Sequence, residues 1–233
     1  MTLLEEVLMH DDYVDLGGFS ATTFNKPTYQ VHMEKKYGRI DESPEDRVAS
    51  QVGTGFHALA EKIVTSDDYI LEDTLQFMLN EYLITGTPDI IDKVWKVVQD
   101  WKVKGPYQFQ KTFRGEIDDL IRQLSIYRWL YFKVSGEHLD NIGKGHIVCA
   151  GWQKNTMRIQ KKHKEDYPDL EFYPKYTTVD VPLMSYEDTE EMMLKWIERY
   201  EMQSIMSNID CDTSWACEYC LAKCVHNVKY KGE

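Results

Sequence analysis

Asp89, Asp100 and Lys102 stand where two carboxylates and an amine can converge. Residues 83–91 and 94–103 are β-rich, with Asp92-Lys93 between them as a turn, and together they read as an antiparallel hairpin. Opposed residues in such a pair share a constant index sum, so a hairpin centred between Val94 and Trp95 sets Asp89 across from Asp100. Cross-strand Cβ atoms lie about 4.5 to 5.5 Å apart, close enough for two carboxylates to grip one hard cation. Lys102 projects from the same face as Asp100. An aspartate pair with a lysine alongside makes a poor apolar core but suits magnesium-dependent phosphodiester hydrolysis. The ion would bind the phosphate and acidify a water, while the amine would orient that water and offset charge on the transition state. Taken alone, Asp100-Trp101-Lys102 reads far more readily as a solvated strand end; Asp89 in hairpin register and the histidine on the preceding helix narrow that reading.

Other elements must hold that hairpin. Ser43-Pro44-Glu45-Asp46 offers an N-cap serine, a first-turn proline and early acids, so a helix is expected to begin there and run to about Ser66. Val48, Val52, Phe56, Leu59 and Ile63 form its apolar stripe, and His57 and Glu61 share a neighbouring face. Gly53 and Gly55 each disfavour such a helix by about 1 kcal/mol against alanine and suggest close backbone approach or an irregular first half. Residues 116–133 return to helical spacing, with Gln123 and Tyr127 projecting together. Strands are expected over 146–152 and 176–183 and a long amphipathic helix over 187–206, which makes the chain α/β. No repeat or low-complexity stretch interrupts it. At 233 residues and 42% hydrophobic it suits one main domain, read as 1–207 with an N-terminal helical segment 1–43 included, followed by a cysteine-rich tail at 208–233.

Charge limits the partners. With 27 basic and 39 acidic residues the net charge is −12, which disfavours indiscriminate attraction to nucleic acid or anionic lipid. A local patch opposes that average: residues 151–164 carry Lys154, Arg158, Lys161, Lys162 and Lys164 with no acid, and could face phosphates or simply form a solvated face. No apolar run approaches the roughly 18 to 20 residues of a membrane span, and the N-terminus is acidic where a signal peptide is basic. A cytoplasmic protein without a membrane partner is the expectation.

Four of the five cysteines fall together as Cys211, Cys217, Cys220 and Cys224, spaced C-x5-C-x2-C-x3-C. In a cytosol-like context a four-thiolate metal centre is favoured over two disulfides. Zinc or a cubane iron–sulfur cluster would satisfy it, and spacing does not choose between them. Cys149, in the apolar run Ile147-Val148-Cys149-Ala150, is read as a small buried hydrophobe.

In these motifs the chain resembles the PD-(D/E)XK nucleases, and within them the RecB-like exonucleases of bacteriophages. Gly53-Thr54-Gly55-Phe56-His57 with Glu61 is similar to the first motif, Gly86-Thr87-Pro88-Asp89 to the second, and Asp100-Trp101-Lys102 to the third. Gln123 and Tyr127 match the Q-x-x-x-Y element, and the segment from Phe19 to Pro27 is similar to S-x-T-x-L-x-x-P. The resemblance implies a restriction-endonuclease-like core, a central mixed β-sheet flanked by helices, with the cysteine-rich metal-binding extension packed on it. It makes His57, Asp89, Asp100 and the Trp101 carbonyl ligands of Mg2+ or Mn2+ and Lys102 the catalytic lysine. Gln123 and Tyr127 would contact or position DNA, with Lys154, Arg158, Lys161 and Lys162 helping to hold the backbone, and Glu61 would support the site or pair with Lys62 or Lys93 at the surface. It favours a [4Fe-4S] cluster in the tail. Relatives usually take one cysteine from before the core, which keeps structural zinc, with His226 a substitute ligand, as the alternative.

The function implied is exonucleolytic hydrolysis of DNA ends or single strands in phage replication or recombination, with a helicase, recombinase or single-strand-binding protein as candidate partner. The rivals are a non-catalytic nucleic-acid-binding module on the same scaffold and a structure-specific endonuclease. The sequence contains no evident subunit code.

Overall fold

The computed structural model describes residues 2–10, 16–38, 42–64, 66–149, 161–162, 164–165 and 175–205. Helices and strands follow in the order α1 (Leu3–Met9), β1 (Phe19–Ser20), a 3-10 turn (Thr23–Asn25), α2 (Thr28–Tyr37), α3 (Pro44–Ile63), β2 (Tyr69–Leu71), β3 (Leu75–Leu79), β4 (Tyr82–Gly86), β5 (Ile90–Asp92), β6 (Val97–Lys104), α4 (Pro106–Phe113), α5 (Asp118–Ser135), β7 (Ile142–Cys149), β8 (Tyr176–Pro182) and α6 (Tyr186–Ile205) among the described residues, and residues 161–162 and 164–165 are helical as well. They build two mixed sheets flanked by helices, ordered β1-β4-β3 and β2-β5-β6-β7-β8. β1 runs parallel to β4 and β6 parallel to β7, and the remaining pairs are antiparallel.

The expected hairpin is present, but its first arm is divided. Pro88 offers no N–H to a ladder, and residues 87–89 belong to neither sheet, so β4 ends in the small sheet and β5 begins in the large one. The second arm starts at Val97 rather than Val94. Asp92 explains this: its Oδ1 accepts the N–H groups of Val94 at 3.0 Å and Trp95 at 2.8 Å, turning the chain through residues 93–96.

Helix α5 is the centre of the molecule. It touches β3 and β4 of the small sheet, β6 and β8 of the large one, and α6. Periodicity predicts a one-sided amphipathic helix, yet every residue from Gln123 to Tyr131 is buried, because both sheets and α6 close around it. The polar side chains there are satisfied: Arg128 donates to the carbonyls of Leu139 and Met184, and the Ser125 hydroxyl accepts the Met184 N–H. Asp118 and Asp119 favour its N-terminus, and Gly136, at φ 75°, stops it with an N–H to the Phe132 carbonyl. Gly86 permits the close approach of β4 to this helix, since a Cβ there would lie 2.8 Å from the Tyr127 ring and from Leu130.

Helix α3 begins at Pro44, as capping chemistry predicts. Its glycines do not serve a close approach: nothing described lies within 4 Å of a Cβ built on Gly53 or Gly55, and the helix is unbroken through both. Of its apolar stripe, Phe56 packs edge-on against Trp101 at 5.8 Å, while Val48, Val52, Leu59 and Ile63 are exposed among the described residues. α3 meets α1 and β6, and these cover only part of its circumference. The expected strand at 146–152 is β7, four residues earlier at its start, and residues 150–152 lie outside the described set. Cys149 is buried, as expected of a small hydrophobe. No helix of the described residues is long and apolar enough to cross a membrane.

Candidate active site

Pairing arithmetic puts three carboxylates in one row across the large sheet. β5 and β6 pair Ile90 with Gln99, so Asp89, one residue before β5, falls opposite Asp100, in the register the sequence predicts. β2 and β5 pair Leu71 with Ile90, so Glu72 falls opposite Asp89 on the other side, and its N–H reaches the Asp89 carbonyl at 3.4 Å. The row therefore reads Glu72, Asp89, Asp100.

Asp100 is fully buried under α5. Its Oδ1 accepts the Lys102 ammonium at 3.0 Å and the Gln123 amide at 3.0 Å, and Gln123 also donates to the Tyr127 hydroxyl at 2.8 Å. Its Oδ2 has no partner. An unsatisfied buried acceptor costs about 1 to 3 kcal/mol, more when charged, so this oxygen marks a place where a donor or cation belongs. Burial pushes the Asp100 carboxyl up to about 6, with Asp89 adding to the shift and Lys102 opposing it. Burial alone would lower the Lys102 ammonium, but Asp100 and Asp89 together outweigh it and raise it, so the side chain stays charged while remaining 31% exposed. Tyr127 is held far above the usual phenol range by burial and by Asp100, and remains a neutral hydroxyl.

His57 reaches the row from α3. Its Nδ1 lies 2.9 Å from Glu72 Oε1 and 3.2 Å from Asp89 Oδ1. Hydrogen bonds to Asp89 and Glu72 raise the imidazole to about 10 against the effect of burial, so Nδ1–H donates to both carboxylates. Asp89 Oδ2 in turn accepts the Trp101 N–H, which ties the row to β6. One donor atom from each of His57, Glu72 and Asp89 lies within 4.8 Å of the others. An imidazole nitrogen with carboxylate oxygens fits a hard or borderline divalent ion, and the unpaired Asp100 Oδ2 beside them is consistent with such an occupant.

The structure thus brings His57, Asp89, Asp100, Trp101 and Lys102 together, with Gln123 and Tyr127 buried behind Asp100. Glu61 lies on α3 one turn beyond His57, and its side chain is outside the described set. Lys161 and Lys162 are helical and exposed, whereas Lys154, Arg158 and the four cysteines of the tail lie outside the described residues. Glu72 is the residue that sequence reasoning misses. It sits in a turn between two short strands, with no periodic or motif signal of its own.

The fold that carries this row is mixed α/β, its two sheets flanked by helices, consistent with a restriction-endonuclease-like core. A solved protein, SSO0001, shares it with a TM-score of 0.54 at 17% identity, over 97% of this chain and 93% of that one. A phage-related exonuclease from Haemophilus somnus 129PT superposes with a TM-score of 0.46 at 12% identity, over 87% of this chain and 92% of that one. No family profile matches the chain, and no curated protein matches it in sequence.

Proposed function

We propose that this protein is a divalent-metal-dependent deoxyribonuclease, an exonuclease that hydrolyses phosphodiester bonds at DNA ends or in single strands. The observation that carries the reading is the buried Asp100, with Lys102 on one oxygen and nothing on the other, beside Asp89, which extends the β5–β6 register by one residue and meets His57 of α3. A catalytic lysine needs a carboxylate partner to stay charged in a desolvated site, and Asp100 supplies it.

His57, Asp89, Asp100 and the Trp101 carbonyl would hold Mg2+ or Mn2+. The bound ion supplies Lewis acidity toward the phosphate and lowers the pKa of water. Lys102, partly open to solvent, donates to the attacking water and to the phosphate oxygens on which charge develops. Gln123 fixes the Asp100 carboxylate through Oδ1, with Tyr127 accepting its second N–H; both are buried, so they would act on the site by holding Asp100 rather than by touching DNA. Lys161 and Lys162, with Lys154 and Arg158 of the same segment, would hold the DNA backbone electrostatically. Cys211, Cys217, Cys220 and Cys224 would hold a structural [4Fe-4S] cluster, or zinc in its place, without a part in hydrolysis.

Incubation with linear and circular single-stranded DNA in Mg2+ or Mn2+ tests the proposal. Degradation of the linear substrate with sparing of the circle is expected. Cutting of the circle would indicate an endonuclease, and retention of DNA without cleavage in any divalent ion would indicate a binding module.

A further inference from the structure

We propose that Glu72 is a metal ligand of this site, a donor outside the motif residues that places a third carboxylate on the bound ion. The inference rests on the divalent-ion reading above and extends its ligand set. Three observations carry it. Register sets Glu72 beside Asp89 just as it sets Asp89 beside Asp100, so the sheet itself delivers all three carboxylates to one line. Glu72 Oε1 and Asp89 Oδ1 both converge on the single Nδ1 of His57, at 2.9 and 3.2 Å, so three donor atoms from three elements already share one small volume. At the next position in the row, the fully buried Asp100 carries an oxygen without a partner. One shared proton on Nδ1 faces two carboxylates. A divalent ion in its place offers the charge that the row lacks and suits oxygen donors.

The alternative is that Glu72 only orients His57. Glutamine distinguishes the two, because its amide oxygen still accepts the His57 Nδ1–H and holds the ring, while it brings no charge to an ion. An orienting residue gives way to glutamine without loss of the ion, whereas a ligand does not.

The test uses the full chain and Mn2+ alone, with free ion read by electron paramagnetic resonance. It compares the parent protein with Glu72→Gln, Glu72→Gly and, as a control on the exposed surface of α6, Glu187→Gln. Both Glu72 variants are expected to bind Mn2+ about tenfold more weakly or worse, with the Glu187 variant unchanged. Mn2+ affinity equal to the parent in the Glu72 variants would overturn the inference and leave the proposed function standing. So would parent affinity in Glu72→Gln with a loss confined to Glu72→Gly, the pattern of a residue that only orients His57. A parent protein that binds no Mn2+ would remove the divalent-ion reading itself, and Glu72 with it.

Discussion

Gln123, on the central helix, donates to Oδ1 of Asp100, on the central strand, across 3.0 Å in a region from which water is excluded. Both amide hydrogens of Gln123 are committed, one to Asp100 and one to Tyr127. The contact fixes which oxygen of Asp100 is satisfied within the protein and which is left without a partner.

Gln123→Leu therefore removes a hydrogen bond to a charged, buried acceptor. The expected loss is about 1 to 3 kcal/mol of unfolding free energy, together with weaker metal binding because Asp100 can then rotate. Urea unfolding and Mn2+ titration of the same preparation check both effects. Tyr127→Phe leaves Asp100 bonded and is expected to do less.

Gly86→Ala tests the closure of β4 on α5. The added methyl would lie 2.8 Å from the Tyr127 ring and Leu130, so overpacking of about 1 to 3 kcal/mol is expected. Displacement of Tyr127 should reach Gln123 and reduce cleavage as well. Unfolding midpoints and rates measured together would show whether the two losses coincide.

The site should respond to pH in opposite senses with and without metal. His57 is raised to about 10, so in the metal-free protein its contribution to stability is fully present below its ordinary 6.5 and is lost as pH rises toward 10. His57→Gln should flatten that part of the stability profile. Metal binding runs the other way. The ion must displace the proton on His57 and needs ionised Asp100, whose carboxyl titrates at about 6, so affinity should fall as pH drops below about 10 and more steeply below 6, and binding near neutrality should release a proton. Calorimetric titration with Mn2+ in two buffers of different ionisation heat counts that proton.

The residues placed by local pattern were legible in the sequence, and those brought in by distant pairing were not. The hairpin register follows from two adjacent apolar runs and their turn, so Asp89 opposite Asp100 is a matter of counting along the chain. His57 stands out by its place after two glycines in a capped helix. Glu61 looks like its partner because i,i+4 spacing is visible locally. Glu72, which with Asp89 meets His57 among the described side chains, arrives through the β2–β5 pairing, which no local period announces. Helix α4 escapes for a related reason: at a little over two turns it carries no sustained stripe. Pro88 is the local sign that residues 83–91 do not form one strand.

The cysteine tail makes a separate claim, testable by eye. Protein purified without oxygen is expected to be brown from a [4Fe-4S] cluster, and Cys217→Ser to lose the colour. A colourless preparation with one zinc per chain would instead identify the alternative centre.

The most direct test of the central claim is the rate of Mn2+- or Mg2+-dependent degradation of end-labelled linear DNA by the Asp100→Asn and Lys102→Ala variants. Each removes a charge that the chemistry requires, on one side or the other of the same ion pair. A fall of about a hundredfold or more is expected in both. Degradation at the parent rate by either variant would contradict the assignment of this row of residues as the catalytic centre.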